Sequence, residues 1–265
     1  MTDKPINYLQ NKTLLEEIRL SKNTYCWYKT PEDSKYNHII DEPSLAEGLA
    51  KIERVMAKSR REYQEQTGDE MDATQFVFRV MTSDHIPPEA MKSATTRKKA
   101  KADRQLEEDY SEDDEDDDIN AGVNFPPFQH YRFNSIGSLV CVGRSHWLDG
   151  KFSTTHGKVT NNLARAWLQL VERYSTKWNF RGYSYIDEMR AQALIQLTQV
   201  GLKFNEAKSD NPFAYLTAVV NNAFLRQLKK EKQQSDIKNE LREYAGLNGS
   251  FDRQAGGEVG EVSER

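Results

Sequence analysis

Cysteine is scarce: Cys26 and Cys141 are the two in 265 residues. That excludes a disulfide framework and points to a reducing compartment. Long apolar runs are missing too. Nothing approaches the roughly 18 consecutive apolar residues of a membrane span, so no membrane partner is expected. The opening Met1-Thr2-Asp3-Lys4-Pro5 lacks the basic-then-apolar pattern of a secretory signal, and cytoplasm is the expected compartment. Apolar residues make up 37% against 29% charged, which favours long segments without a packed core. No G-x-x-x-x-G-K-[ST] loop, G-x-G-x-x-G fingerprint, H-E-x-x-H pair or G-x-S-x-G elbow occurs. The histidines (His38, His85, His130, His146, His156) lie outside the best-formed helical region. Cys141, His146 and His156 do not have zinc-ligand spacing. Neither catalysis, a metal nor a cofactor is expected.

The charge that is present is unevenly placed. Ten carboxylates crowd into Glu107–Asp118; setting them aside changes the net charge from −4 to +6. A basic folded part with an acidic run attached suits a phosphate-backbone partner, and many soluble proteins share that balance. Arg97-Lys98-Lys99-Ala100-Lys101 stands just before the acidic run, and about 92–120 reads as a disordered charged linker.

Helical and strand signals surround that linker. Asn11 or Thr13 caps a short helix carrying Leu14, Leu15 and Ile18. Residues 21–43 read as an aromatic, turn-rich loop. Ser44 with Glu47 forms a capping-box pattern ahead of Leu45, Leu49, Ile52, Val55 and Met56. Phe76–Met81 is the best strand, and Ser138–Val142 is a second that could pair with it. Leu163, Trp167, Leu170, Val171, Tyr174 and Trp178 then keep helical spacing. Ser184, with Asp187 three residues on, caps a helix lined by Ile186, Met189, Ala193, Leu197, Val200 and Phe204.

The richest stretch begins at Asn211, a good N-cap, followed by Pro212 at the first helical position. Phe213, Leu216, Val220, Ala223 and Phe224 share one side, whereas Tyr215, Asn222, Arg226 and Lys229 share another. An aromatic to stack on bases, an amide to read an edge and cations for phosphate suit a nucleic-acid reader. An ordinary amphipathic helix with a solvated basic end would show the same pattern.

The string Tyr174-x-x-x-Trp178-Asn179-Phe180-x-Gly182-Tyr183, then Asp187-Glu188-Met189, Phe204-Asn205, Asn211-Pro212-x-Ala214-Tyr215-x-Thr217, Asn222-Ala223-Phe224 and Leu228-Lys229-Lys230-Glu231, closely resembles one family. It is similar to the small sigma factors that T-even-type bacteriophages use for late transcription, reduced relatives of the central conserved region of bacterial sigma factors. Asn11-Lys12-x-Leu14-Leu15 resembles the N-terminus of that family. The resemblance covers about 1–20 and 158–240. It implies a mainly α fold: a compact sigma-region-2-like helical unit with a long, partly disordered insertion over 21–157. That insertion leaves room for a small α+β element at 44–82 and 122–157, and 241–265 forms a flexible tail.

The resemblance also implies a function, with a polymerase-binding anti-sigma decoy or a polymerase-independent DNA-binding protein as the alternatives. Such a protein binds the host RNA polymerase core, through a coiled coil of its largest subunit, and melts AT-rich promoter DNA in the cytoplasm of the infected bacterium. Asp187, Glu188, Arg190, Ala191 and Gln192 match the core-binding stretch. Phe213, Tyr215, Asn221, Asn222 and Arg226 match the strand-reading helix. Trp178 and Phe180 are further stacking candidates, and Lys229, Lys230 and Lys232 supply phosphate contacts. Where bacterial sigma factors carry a Trp-Trp pair after Tyr-x-Thr, this chain has Ala218-Val219. The resemblance also implies a phage sliding clamp, docked by a short apolar-acidic tail, and a late co-activator as further partners. The tail here, Gly256-Gly257-Glu258-Val259-Gly260-Glu261-Val262, has acid without a Leu or aromatic anchor.

Overall fold

The computed structural model describes residues 9–42, 44–67, 72–90, 123–180 and 182–246. The charged linker at about 92–120, with its basic and acidic runs, and the tail beyond 246 lie outside the described residues. The elements in chain order are α1 (Asn11–Asn23), β1 (Cys26–Tyr28), β2 (His38–Asp41), α2 (Leu45–Thr67) and β3 (Val77–Met81). There follow β4 (Phe128–Phe133), β5 (Leu139–Ser145), the short β6 (Trp147–Leu148) and β7 (Lys151–Phe152), then α3 (Asn161–Ser175), α4 (Ile186–Val200) and α5 (Pro212–Tyr244).

The mainly α expectation is overturned. A five-stranded sheet in the order β1-β5-β4-β3-β2, together with a β6–β7 hairpin, makes this an α/β fold. The sheet is mixed: β2 runs parallel to β3, and the other neighbours are antiparallel. The supposed loop at 21–43 supplies two of its strands. Phe76–Met81 and Ser138–Val142 do not pair directly, because β4 lies between β3 and β5. β4 falls within 122–157, where one or two strands are expected, but its Phe, Gln, His, Tyr and Arg do not alternate cleanly in polarity, and the register shifts between His130 and Tyr131.

Each sheet face meets a different partner. Phe78, Val80, Tyr131 and Phe133 pack with Ile40 against Ile52 and Met56 of α2. The α2 backbone comes close enough that a Cβ on Gly48 would stand 2.8 Å from Val80 Cγ1. On the opposite face Phe128 joins Phe125 and Tyr25 in the core of the helical layer. That core holds Leu14 and Ile18 of α1, Leu163, Trp167 and Leu170 of α3, Met189, Ala193 and Leu197 of α4, and Leu216, Val220 and Phe224 of α5. The two segments of the family resemblance thus share one hydrophobic core. Burial of such aliphatic and aromatic side chains contributes roughly 1.5–3 kcal/mol each.

The long segment between α1 and α3 leaves and returns at one place. Thr24 Oγ1 donates to Lys158 O (3.0 Å) and accepts from Lys158 N (2.9 Å). Thr160 N donates to Ser21 Oγ (3.0 Å), and Thr160 Oγ1 donates to Glu17 Oε2 (2.7 Å). Thr160 also caps α3 by accepting from Leu163 N. Two helix starts and ends differ from expectation. Tyr185, not Ser184, is the N-cap of α4, and it makes no side-chain cap. α3 stops at Ser175, so Trp178 falls in the following turn instead of on the helix face.

Candidate nucleic-acid interface

α5 is 33 residues long, about 50 Å at 1.5 Å per residue. It starts as its sequence dictates: Asn211 Oδ1 accepts from Ala214 N (3.0 Å), and Pro212 occupies the first turn. A second tie reaches across the chain, with Phe213 N donating to Asn11 Oδ1 (3.1 Å). Buried positions run from Pro212 to Gln227, so the first half of the helix lies in the core. Beyond Leu228 almost every side chain is exposed, Lys229, Lys230 and Lys232 among them.

The turn leading into α5 is clamped by buried charge. Glu206 accepts from Lys22 Nζ (3.0 Å), Arg79 Nη1 (2.8 Å) and the Tyr36 hydroxyl (2.6 Å), with Arg19 Nε at 3.5 Å. Lys22 also donates to Phe204 O (2.7 Å). Arg79 lies between the rings of Tyr36 and Phe128, 3.9 and 3.8 Å from their centroids. Its Nε donates to His130 Nε2 (2.9 Å), so His130 Nδ1 carries the proton donated to Asp33 O (2.6 Å). Burial alone would raise the Glu206 carboxyl, but Lys22 and Arg79 hold it down at about 2. Burial, reinforced by the Arg79 charge, presses His130 down to about 3. Burial also lowers Lys22, with Glu206 opposing it. A buried arginine in the middle of the best strand is explained by this one carboxylate on the helical side.

The residues expected to meet DNA divide into two groups. Trp178 is 85% exposed, Phe213 is 39% exposed, and Asn222, Arg226, Lys229, Lys230 and Lys232 are all on the surface. Phe180, Tyr215 and Asn221 instead hold the helices together. Phe180 is 2% exposed and stands edge-on to Phe224, with ring centroids 5.1 Å apart. Tyr215 packs on Phe204, and its hydroxyl donates to Val200 O (2.7 Å). Asn221 accepts from the Tyr174 hydroxyl (2.6 Å). Phe180 against Phe224 also fixes the α3–α4 turn to α5, so exposed Trp178 stands on a segment anchored to that helix.

The α3–α4 turn carries two aromatics that were not singled out as site residues. Tyr183, 40% exposed, packs against Tyr185 with the rings tilted by 31° and centroids 5.1 Å apart. Their signal was the density of aromatics between Trp178 and Tyr185. On α4, Asp187, Glu188 and Ala191 are exposed, whereas Arg190 and Gln192 are half-buried. Arg190 is committed to Asp187 (3.0 Å) and to Ser175 Oγ (2.8 Å). Ile195, one turn beyond Ala191, is also exposed, which leaves α4 an outward face of mixed acid and apolar character.

Among the described residues no group of three His, Cys, Asp or Glu side chains could hold a metal ion. No described helix is long and apolar enough to cross a membrane. Comparison with protein-family models, curated proteins and solved structures finds no match.

Proposed function

We propose that this chain is a transcription initiation factor of the phage sigma type, binding host core RNA polymerase and opening an AT-rich minus-ten-type promoter element in the infected cell. It acts without catalysis of its own. The observation that carries the reading is the shared core: the two stretches that resemble the family, far apart in sequence, pack together through Leu14 and Ile18 against α3 and α5. The chemistry supports it as well. Opening a duplex requires replacement of lost stacking, and each aromatic–base stack is worth roughly 1–3 kcal/mol. Trp178, Phe213 and Tyr183 are exposed for that role, with Arg226, Lys229, Lys230 and Lys232 for the backbone. The acid and apolar residues on the outer face of α4 suit a coiled coil of the polymerase. The resemblance adds a sliding clamp and a late co-activator as further partners.

Transcription in vitro with host core polymerase tests the reading, comparing full-length protein with a form lacking the 107–118 acidic run. Promoter-dependent transcript and permanganate-reactive thymines are expected. Their absence under every clamp and co-activator supplement would overturn it. One observation favours a second reading, a polymerase-binding decoy that never opens DNA: Phe180 and Tyr215 are committed to packing. Such a decoy shifts core polymerase on a gel yet leaves promoter thymines unreactive.

A further inference from the structure

α2 packs chiefly over β2 and β3, so among the described residues β1 and β5 lie open at the far edge of the same sheet face. Register places Trp27 opposite Arg144, and Arg144 opposite Gln129, on that face. A cavity of about 340 Å³ is lined there by Trp27, Cys141, Arg144, Trp147 and Gly150. Trp27 is 41% exposed, and the Arg144 guanidinium lies 5.2 Å from the centroid of the Trp147 ring. Arg144 Nε is buried and has no hydrogen-bond partner among the described residues.

The backbone holds Trp147 where it is. His146, at φ 52°, breaks the run of β5, and Trp147 N donates to Tyr25 O (3.3 Å) beside β1. The β6–β7 hairpin closes through Asp149 (φ 48°) and Gly150 (φ 81°), the left-handed pair that a two-residue primed turn requires.

We propose that this Trp27–Arg144–Trp147 recess binds an unpaired base of single-stranded DNA. The inference rests on the promoter-opening reading for the source of its ligand. The recess is at the small end of ligand sites, about 300–1,000 Å³, and takes one planar group. Two indoles offer stacking faces, and the arginine offers a cation for phosphate plus an unused donor for a base or phosphate oxygen. A base within a duplex has both faces covered and cannot enter, so the recess selects the separated strand. A protein side chain with a carboxylate would satisfy Arg144 but leave the indole faces unused.

The test uses full-length protein and a single-stranded oligonucleotide of about ten nucleotides, within the range such surfaces span. One thymine is replaced by 5-iodouracil. Irradiation and peptide mapping are expected to place the adduct on Trp27 or Trp147. Trp27→Ala and Arg144→Gln are each expected to weaken binding about tenfold, with Arg144→Lys between them and wild type. Trp27 is on an edge strand and partly exposed, so a circular-dichroism melt is expected to show both variants folded. Adducts confined to α5, with full affinity kept by both variants, overturn the recess while promoter opening stands. Full competition by free thymidine monophosphate at equal nucleotide concentration overturns a strand as its occupant. Permanganate reactivity with core polymerase reports separately on the initiation reading.

Discussion

Replacing Glu206 by alanine is expected to cost about 3–5 kcal/mol of folding stability, the range found when one partner of a buried ion pair is removed. The structure gives the reason. Lys22 and Arg79 are both buried, and Glu206 is the anion that answers them. Without it two cations remain in a site closed to water, and the Tyr36 hydroxyl loses its acceptor. The titration argument gives a similar figure. A carboxyl held at about 2, against an ordinary 4.5, favours the fold by about 3 kcal/mol above pH 5. The sign follows from the lowered value: this stability is complete above 4.5 and disappears as pH falls through 2. A domain of this size loses roughly 2–4 °C of melting temperature per kcal/mol, so a fall of about 6–20 °C is expected. Against a total of about 5–15 kcal/mol, that is a large share.

Urea unfolding followed by circular dichroism reads the change directly. Glu206→Gln separates charge from shape, since it keeps the volume and is expected to fall between alanine and wild type. The joint replacement Lys22→Met, Arg79→Met, Glu206→Leu removes all three charges and is expected to recover most of the loss. A Glu206→Ala cost below about 1 kcal/mol, the scale of an exposed pair, would refute the reasoning.

Acid is expected to weaken the fold well before the carboxylates titrate. Burial lowers His85 to about 4 and both His130 and His146 to about 3, so the unfolded chain takes up protons first, below about 6.5. Stability is complete above that value and falls by about 1.4 kcal/mol per pH unit for each histidine; a melting temperature that stays flat from pH 7 to 5 would contradict this. Phe180→Ala is expected to cost about 3–5 kcal/mol as a core truncation. Trp178→Ala is expected to cost under about 0.5 kcal/mol yet reduce promoter melting, and equal thermal losses in the two variants would undo the division between buried and exposed aromatics. Lys229→Ala is expected to weaken DNA binding across all sequences and lower the salt slope by about 1, read by titration at several salt concentrations. Glu188→Lys is expected to impair polymerase binding more than DNA binding, as gel shifts with core polymerase and with DNA alone would report.

The start of α5 was legible because its signals are local. Asn211 and Pro212 act within one turn, and spacing alone places Leu216, Val220, Ala223 and Phe224 in the core, whereas Phe213, assigned to the same side, is 39% exposed. The half-buried settings of Tyr215 and Asn221 were not legible, for the opposite reason. A single helix does not announce how many neighbours surround it, and here Phe204 packs on Tyr215 while the Tyr174 hydroxyl donates to Asn221. Periodicity likewise carried Trp178 into a helix that ends at Ser175. The sheet was the least legible part. β1 has three residues and β2 four, and β1 pairs with a strand more than a hundred residues away, so no local pattern could reveal it. Arg79 was visible as a charge within a strand, but its meaning depended on Glu206, whose partners come from three separate segments: α1, the loop at Tyr36 and β3.

The joined ends at Thr24 and Lys158 explain how so long a segment can interrupt a helical unit. Its two ends sit side by side, the geometry in which chain insertions are tolerated. Adjacent ends alone would permit a loosely tethered module. The ionic cluster argues against that, since Lys22 and Glu206 belong to the helical layer whereas Tyr36, Arg79 and His130 belong to the intervening segment. Phe125 and Phe128 add apolar cover to the same helical core. Cutting the segment out would expose that core and leave Glu206 with Lys22 and Arg19 alone. The sheet is therefore part of what positions the turn before α5, and a recess on its open face would move as one body with that helix.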